Sequence, residues 1–389
     1  MNAQLEKFDQ AVAGLTGAGQ PFALDTVAID GVQYQAYASA PANLGEYFRV
    51  MLQHGDKEFA VYREERYRYA EAYDLSAALA QALIERYGLR KGDRVAILSR
   101  NNPQWMMTFI ACLSIGAVAV PMNAWWTTEE LDYGFEDSGA RVVVADRQRI
   151  ERLLPIAKKH GLQVIAVDDC GDPGLEHTAF TRLTADFRGA AMPEEVVAAD
   201  DPATIMYTSG STGHPKGALS SHRGILSALY SWMLMGVATK TLEGSGDEDK
   251  RPPCALLTVP LFHCTASHSA FMLSLIVGRK IVIMHKWNPQ EALRLIEQER
   301  VTWFTGVPTM SAELQAAAAD TERDVSSLRD IMAGGAARPP DQVGKITGTF
   351  RKSTAGIGYG LTETNALGAV NAGAFYLDKP SSTGRAVPA

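Results

Sequence analysis

Along the chain, short runs of aliphatic and β-branched residues alternate with stretches whose apolar positions recur three or four apart, the pattern of buried strands interleaved with amphipathic helices. Leu75, Leu79 and Leu83 recur every fourth residue and the run stops at Gly88, which predicts a helix with a glycine stop. Arg94–Leu98 then reads as a buried strand. Asn102 is placed to cap a helix opening on Pro103, because its side chain accepts from free backbone N–H groups and proline lacks one. Ala117–Val120, Val142–Ala145 and Val164–Val167 read as further strands, with a Thr127-x-x-Glu130 capping box and a helix ending at Gly161 between them. A second series begins with the strand ATIMY at 203–207 and a helix near Ser221. Strands at Ala255–Val259, Lys280–Met284 and Val301–Thr305 follow, with Asn288 and Pro289 opening an intervening helix. Repeated βα winding of this kind predicts linked α/β layers.

Residues 1–45 have weak periodicity and predict a lead-in helix and a loosely packed arm. Residues 46–200 are assigned to a first α/β subdomain and 201–389 to a second. Glu243–Pro253, charged, glycine-bearing and proline-ended, predicts an exposed loop. No repeat of solenoid period is present.

Charge and cysteine usage narrow the function. Of 389 residues, 44 are acidic and 37 basic, a formal charge of −7, which disfavours nucleic acid and anionic membranes as partners. Cys112, Cys170, Cys254 and Cys264 form no C-x-x-C pair, so neither a disulfide framework nor a structural zinc site is indicated, and a reducing cytoplasmic setting is the expectation. The amino terminus has no basic patch followed by an apolar run, hence no secretory signal is read. The apolar stretch Ile110–Met122 is shorter than the roughly 20 residues a bilayer span needs, so no spanning helix is expected.

The most informative segment is Tyr207–Gly217, YTSGSTGHPKG, directly after an apolar strand. Glycines let the backbone approach an anion, Ser and Thr hydroxyls add donors, and Lys216 supplies a point charge, so phosphate binding is the physical expectation. A P-loop would need glycine before the lysine and Ser or Thr after it. Here Pro215 and Gly217 stand there. No Gly-x-Ser-x-Gly elbow is present, which disfavours an α/β-hydrolase.

Thr208–Gly217 resembles the signature loop of the adenylate-forming superfamily, which includes acyl-CoA synthetases, luciferase-like enzymes and adenylation domains. Gly358–Glu363 (GYGLTE) resembles its adenine and magnesium motif, and Gly334–Ala337 (GGAA) resembles the turn lying along adenine and the acyl group. RVAILSRNNPQW and GAVAVPMNAWW extend the likeness from about residue 45 onward. The resemblance implies an α/β fold of two β-sheet subdomains flanked by helices, five-layered αβαβα, with an incomplete distal barrel. It implies that Thr208, Ser209, Gly210, Ser211, Thr212, Gly213 and Lys216 cradle the β- and γ-phosphates of ATP. Tyr359 would stack on adenine, with Gly335, Ala336, Ile357, Gly358 and Gly360 around the nucleotide and Thr362 near the α-phosphate. Glu363 and Thr208 would hold Mg2+, a hard cation that prefers oxygen ligands. His263 matches a gate to the acyl pocket, although a structural histidine is the alternative, and Thr305, Gly306 and Gly335 would line the acyl tunnel. His268, five residues beyond His263, suggests no metal pair, for want of a third ligand.

The implied chemistry is attack of a carboxylate on the α-phosphorus of ATP, giving acyl-AMP and pyrophosphate, then transfer of the acyl group to the thiol of CoA. Lys216, Thr208, Glu363 and His263 are the residues assigned to catalysis. The family's carboxy-terminal small domain is not found in this sequence, and TGRAVPA resembles the start of the segment leading into its barrel. The expectation is therefore a truncated large domain, impaired in turnover. A fatty or aryl acid is the expected substrate. No aspartate stands around Phe262–Ser267 to hold a substrate amine, as an amino-acid adenylation domain would usually have. The alternatives are an adenylation enzyme loading a carrier protein and a noncatalytic nucleotide-binding module.

Overall fold

A computed structural model describes residues 2–168, 171, 173–208, 213–243, 251–350 and 353–389. Two large sheets dominate. The first has seven strands in the order 216–221, 202–208, 118–121, 94–98, 142–145, 163–166 and 177–179. All neighbours are parallel except the hairpin of 202–208 with 216–221. The second has nine strands in the order 385–386, 369–372, 354–359, 330–333, 303–306, 254–257, 280–283, 58–62 and 65–68. Its interior from 354–359 to 58–62 is parallel, with antiparallel strands at both margins. Among the described residues neither sheet closes into a barrel.

The local signals act as predicted. Asn102 Oδ1 accepts from Trp105 N at 2.7 Å and opens helix Pro103–Ser114. Thr127 and Glu130 form their reciprocal box ahead of helix Thr128–Ser138. Asn288 caps helix Pro289–Glu299, and Gly161 ends helix Ala157–His160 in the left-handed conformation.

The sheets do not divide at residue 200. Strands 58–62 and 65–68 precede that point yet join the second sheet, through the register Ile281 with Ala60. Strand 202–208 follows it yet pairs with 118–121 in the first sheet, Thr204 opposite Ala119. Periodicity identifies a strand without identifying its neighbour, so the chain's two crossings between sheets are invisible to it. One core joins the sheets: Phe59 of the second and Ile97 of the first are sealed in it with Leu79, Trp105, Phe109 and Phe271 from intervening helices.

The first 45 residues are also better docked than the weak periodicity implies. Helix Asn2–Thr16 packs on helix His222–Glu243, where Phe8 meets Met235 and Ala238. Strands 24–29 and 32–37 form an antiparallel hairpin, tied to the same helix by the Tyr37 hydroxyl and Ser231 Oγ at 2.8 Å. His222–Leu242 is long and apolar enough to cross a membrane, which the reading based on Ile110–Met122 overlooked. In the fold its Ile225, Leu226, Leu229 and Leu234 are buried in protein contacts.

Candidate functional site

Every candidate motif leaves the C-terminal end of a parallel strand, the edge where open α/β sheets bind ligands. The glycine-rich turn follows 202–208. The segment to His263 follows 254–257, Gly306 ends 303–306, Gly334 and Gly335 follow 330–333, and Tyr359 ends 354–359. The short helical turn Thr362–Thr364, which carries Glu363, lies against strands 202–208 and 216–221, which carry Thr208 and Lys216, and this junction of the two sheets forms the mouth of the candidate site.

Thr208 and Lys216 are cross-strand partners at the turn end of the hairpin, and the Thr208 hydroxyl donates to the Lys216 carbonyl at 3.4 Å. Lys216 and Gly213 are exposed, and Gly213 takes φ of +95°. Ser209, Gly210, Ser211 and Thr212 lie outside the described residues. A Cβ on Gly217 would lie 2.8 Å from Ile205 Cγ2, so any side chain there would force Ile205 to shift.

The opposing turn is shaped by close backbone approach. A Cβ on Gly360 would fall 2.2 Å from the carbonyl carbon of Ala366, and Asn365 and Ala366 both take left-handed φ, at 53° and 72°. Gly368 N donates to Tyr359 O at 2.7 Å, closing the loop. Tyr359 is left 53% exposed, an open ring suited to stacking, while Glu363 is exposed at the rim. Gly358 lets the Trp232 ring pack against the strand, for a Cβ would meet it at 2.6 Å. Ile357 departs from its assignment. Strand alternation turns it into the second sheet's core, only 7% exposed, where it packs and offers no side chain to a nucleotide.

Gly335 takes φ of +77°, and Ala336 beside it is exposed. Gly306 is held between Phe304 and Met310, where a Cβ would approach to 2.9 and 3.2 Å, and its carbonyl accepts from Gly334 N. Thr305 is buried and its carbonyl accepts from the Thr258 hydroxyl at 3.0 Å, so it supports the Gly306 turn from beneath.

His263 is exposed, yet protein crowds it enough that desolvation lowers its pKa. Phe262 lies against it with ring centroids 4.6 Å apart, and Trp125 from the first sheet meets Phe262 edge-on at 5.1 Å. Trp125 keeps half its surface open. His268 is fully buried, its Nδ1 2.9 Å from Ser267 Oγ, and burial pushes its pKa down to about 4. The two histidines therefore differ in kind.

Sequence reading missed three supports. Buried Asn101 spans the sheets, donating to Val259 O at 2.9 Å and accepting from Leu261 N at 2.8 Å, just ahead of His263. Trp125 was legible only as part of a resembling stretch. Tyr133, which stacks on His214, carries no signal in its spacing.

Among the described residues no three His, Cys, Asp or Glu side chains could hold a metal by themselves. Among the described residues, the two assigned to a cation, Thr208 and Glu363, offer a hydroxyl and a carboxylate, both oxygen donors. That set fits Mg2+, which keeps waters and completes its shell with substrate phosphates.

The profile described as AMP-binding enzyme matches residues 47–389. Feruloyl-CoA synthase of Amycolatopsis sp is 35% identical over 76% of this chain and 54% of its own length. 4-coumarate–CoA ligase 3 of Oryza sativa subsp. japonica is 29% identical over 78% of this chain and 52% of its own. This chain therefore spans about half the length of these curated relatives. The crystal structure of the inhibitor-bound N-terminal domain of FACL13 from Mycobacterium tuberculosis matches with a TM-score of 0.74 and 26% identity, covering 89% of this chain and 83% of that one. Two α/β sheets and a profile match over nearly the whole sequence place this chain in the AMP-binding enzyme family.

Proposed function

We propose that the protein acts in ATP-dependent activation of a carboxylic acid, giving acyl-AMP and pyrophosphate, with CoA as the acyl acceptor. The observation that carries this reading is that Thr208 and Lys216 pair across the hairpin whose two strands contact the Thr362–Thr364 turn of the other sheet. ATP and a carboxylate are both anions, so the first task of the site is to hold them in line against their repulsion. In this reading Lys216 and the hydroxyl of Thr208 hold the outer phosphates, and the open face of Tyr359 holds the base. Thr362 lies on the α-phosphate side. A carboxylate oxygen then forms its bond to the α-phosphorus as the bond to pyrophosphate breaks. Thr208 and Glu363 would hold Mg2+, which supplies positive charge to phosphate oxygens when bound.

The acyl end is assigned to the surface of His263, Phe262, Trp125 and the Gly306 and Gly335 turns. Its aromatic walls, together with the aryl acids in the names of the relatives, favour an aryl acid over a fatty one. His263 is kept largely neutral above its lowered pKa, so it can receive an uncharged ring at ordinary pH without burying a charge.

The test is calorimetric binding of Mg-ATP, followed by acid-dependent exchange of labelled pyrophosphate into ATP with ferulate, benzoate and decanoate. Binding that falls at least tenfold in Lys216→Ala, with exchange strongest for an aryl acid, is the expected result. Undiminished ATP binding in Lys216→Ala would overturn the site. Exchange confined to decanoate would overturn the aryl preference alone.

A further inference from the structure

We propose that helix Thr128–Ser138 is a platform that sets the phosphate hairpin, with Tyr133 as a positioning residue acting through His214; this rests on the phosphate-binding reading of that hairpin. The helix holds both stems of the turn. On the incoming stem, the Tyr207 hydroxyl donates to Asp137 Oδ2 at 2.7 Å and lies 3.3 Å from Gly134 O. On the outgoing stem, the His214 ring stacks on Tyr133, with centroids 4.7 Å apart and planes 24° from parallel.

Two residues that the proposed reaction needs adjoin these anchors. Thr208 directly follows Tyr207, Lys216 lies two residues beyond His214, and the two are cross-strand partners. Rotation of either stem would move a phosphate ligand. The platform itself is firmly seated. Gly134 faces the Trp126 ring so closely that a Cβ would come within 2.7 Å, and Trp126 meets Tyr207 edge-on at 5.2 Å. Of the two anchors, the stack is more exposed and holds the lysine side. His214 occupies a turn position where neither phosphate contact nor strand pairing calls for an aromatic ring, and the stack supplies a reason for one.

The experiment measures calorimetric affinities of the full chain for Mg-ATP and for AMP, which shares the base and ribose but lacks the outer phosphates. Tyr133→Ala and His214→Ala are each expected to weaken ATP roughly 3- to 10-fold, the worth of one aromatic stack, and to leave AMP unchanged. The double variant should be no weaker than either single one, because both remove the same contact. Tyr133→Phe, which keeps the ring, should restore parental affinity. Equal losses for ATP and AMP, additive losses in the double variant, or failure of the Phe variant would each overturn the platform. If Tyr133→Ala fails to fold, His214→Ala, altered at an exposed turn residue, decides the question alone. A parent protein that binds ATP no more tightly than AMP would instead remove the phosphate reading, and the platform with it.

Discussion

The mouth of the site and the far margin of the second sheet handle charge in opposite ways. At the margin, Glu299 is only 4% exposed in its side chain and is met by Arg66 at 2.6 Å and Lys280 at 2.8 Å, with Glu58 completing the group. Burial works against its charge, but hydrogen bonds from Arg66 and Lys280 hold its carboxyl below the ordinary range. At the mouth, Lys216 and Glu363 stay in solvent on turns made possible by glycine. The two histidines buried behind the mouth are instead neutral. His268 lies beneath it, and His222 follows the hairpin, accepting from Leu44 N through Nδ1 at 3.1 Å. The lesson is a division of labour: the margin spends its charges on one another, whereas the mouth leaves them open for a ligand.

The largest expected effect breaks the mouth alone. Gly360→Ala places a Cβ where Ala366 backbone already stands, and backbone cannot step aside as a flexible side chain can. The turn bearing Tyr359 and Glu363 must reshape, so affinity for Mg-ATP should fall on the order of 100-fold, about 3 kcal/mol. The unfolding midpoint should fall much less. Calorimetry beside chemical denaturation checks both, and unchanged ATP affinity would refute the proposed role of that turn.

Acid should separate the regions next. Desolvation holds His222 and His268 at about 4 in the folded protein, against 6.5 ordinarily. Asp201 partly opposes the shift at His222, as Asn365 does at His268. With folded pKa values depressed, the unfolded chain takes up protons first as pH falls, so stability is full above about 6.5 and drains away toward about 4. Each histidine accounts for a loss on the order of 3 kcal/mol across that window. The Glu299 group behaves differently. Its depressed carboxyl keeps its contribution until pH falls below the ordinary glutamate range. Denaturation midpoints at pH 7, 5.5 and 4.5 should therefore decline, and His222→Asn, which keeps an acceptor for Leu44 N, should flatten part of the decline. An unchanged slope in that variant would remove His222 from the account.

The margin has its own break. Glu299→Ala leaves Lys280 and Arg66 without their shared carboxylate. Arg66 is nearly half exposed and Glu58 remains beside both, so solvent and that second partner soften the loss to about 2 kcal/mol. Urea unfolding should report it while Mg-ATP affinity stays at the parental value.

How much of this was legible in the sequence follows the same division. Helix caps, strands and the glycine-rich hairpin stood out because their signals are local: Asn102 with Pro103, Thr127 with Glu130, and an apolar strand leading into Thr208. Tyr359 and Glu363 were assigned through resemblance, and the fold puts both at the surface of the mouth. The Ile357 side chain faces the core because a one-residue step along a strand reverses the face, and register is set by pairing across the sheet. Asn101, Tyr133 and the Glu299 group depend on contacts between segments far apart in the chain, such as Asn101 with Val259 and Arg66 with Glu299. No periodicity encodes those meetings, and sheet membership across residue 200 was hidden for the same reason.

The smallest effect tests whether the mouth depends on the helix behind it. Thr127 Oγ1 accepts from Glu130 N at 3.3 Å, and Glu130 Oε2 accepts from Thr127 N at 2.7 Å, so Thr127→Ala removes one half of the box that opens helix Thr128–Ser138. Loss of such a cap costs about 1 kcal/mol in stability. Tyr133 sits in the second turn of that helix, and Gly134 and Asp137 receive Tyr207 further along. Fraying from the first turn thus reaches the His214 stack before it reaches the Tyr207 anchor. ATP affinity should weaken by less than about threefold, below the loss from deleting the stack itself. A larger loss in Thr127→Ala than in Tyr133→Ala would mean that the cap touches the hairpin by some route other than this helix.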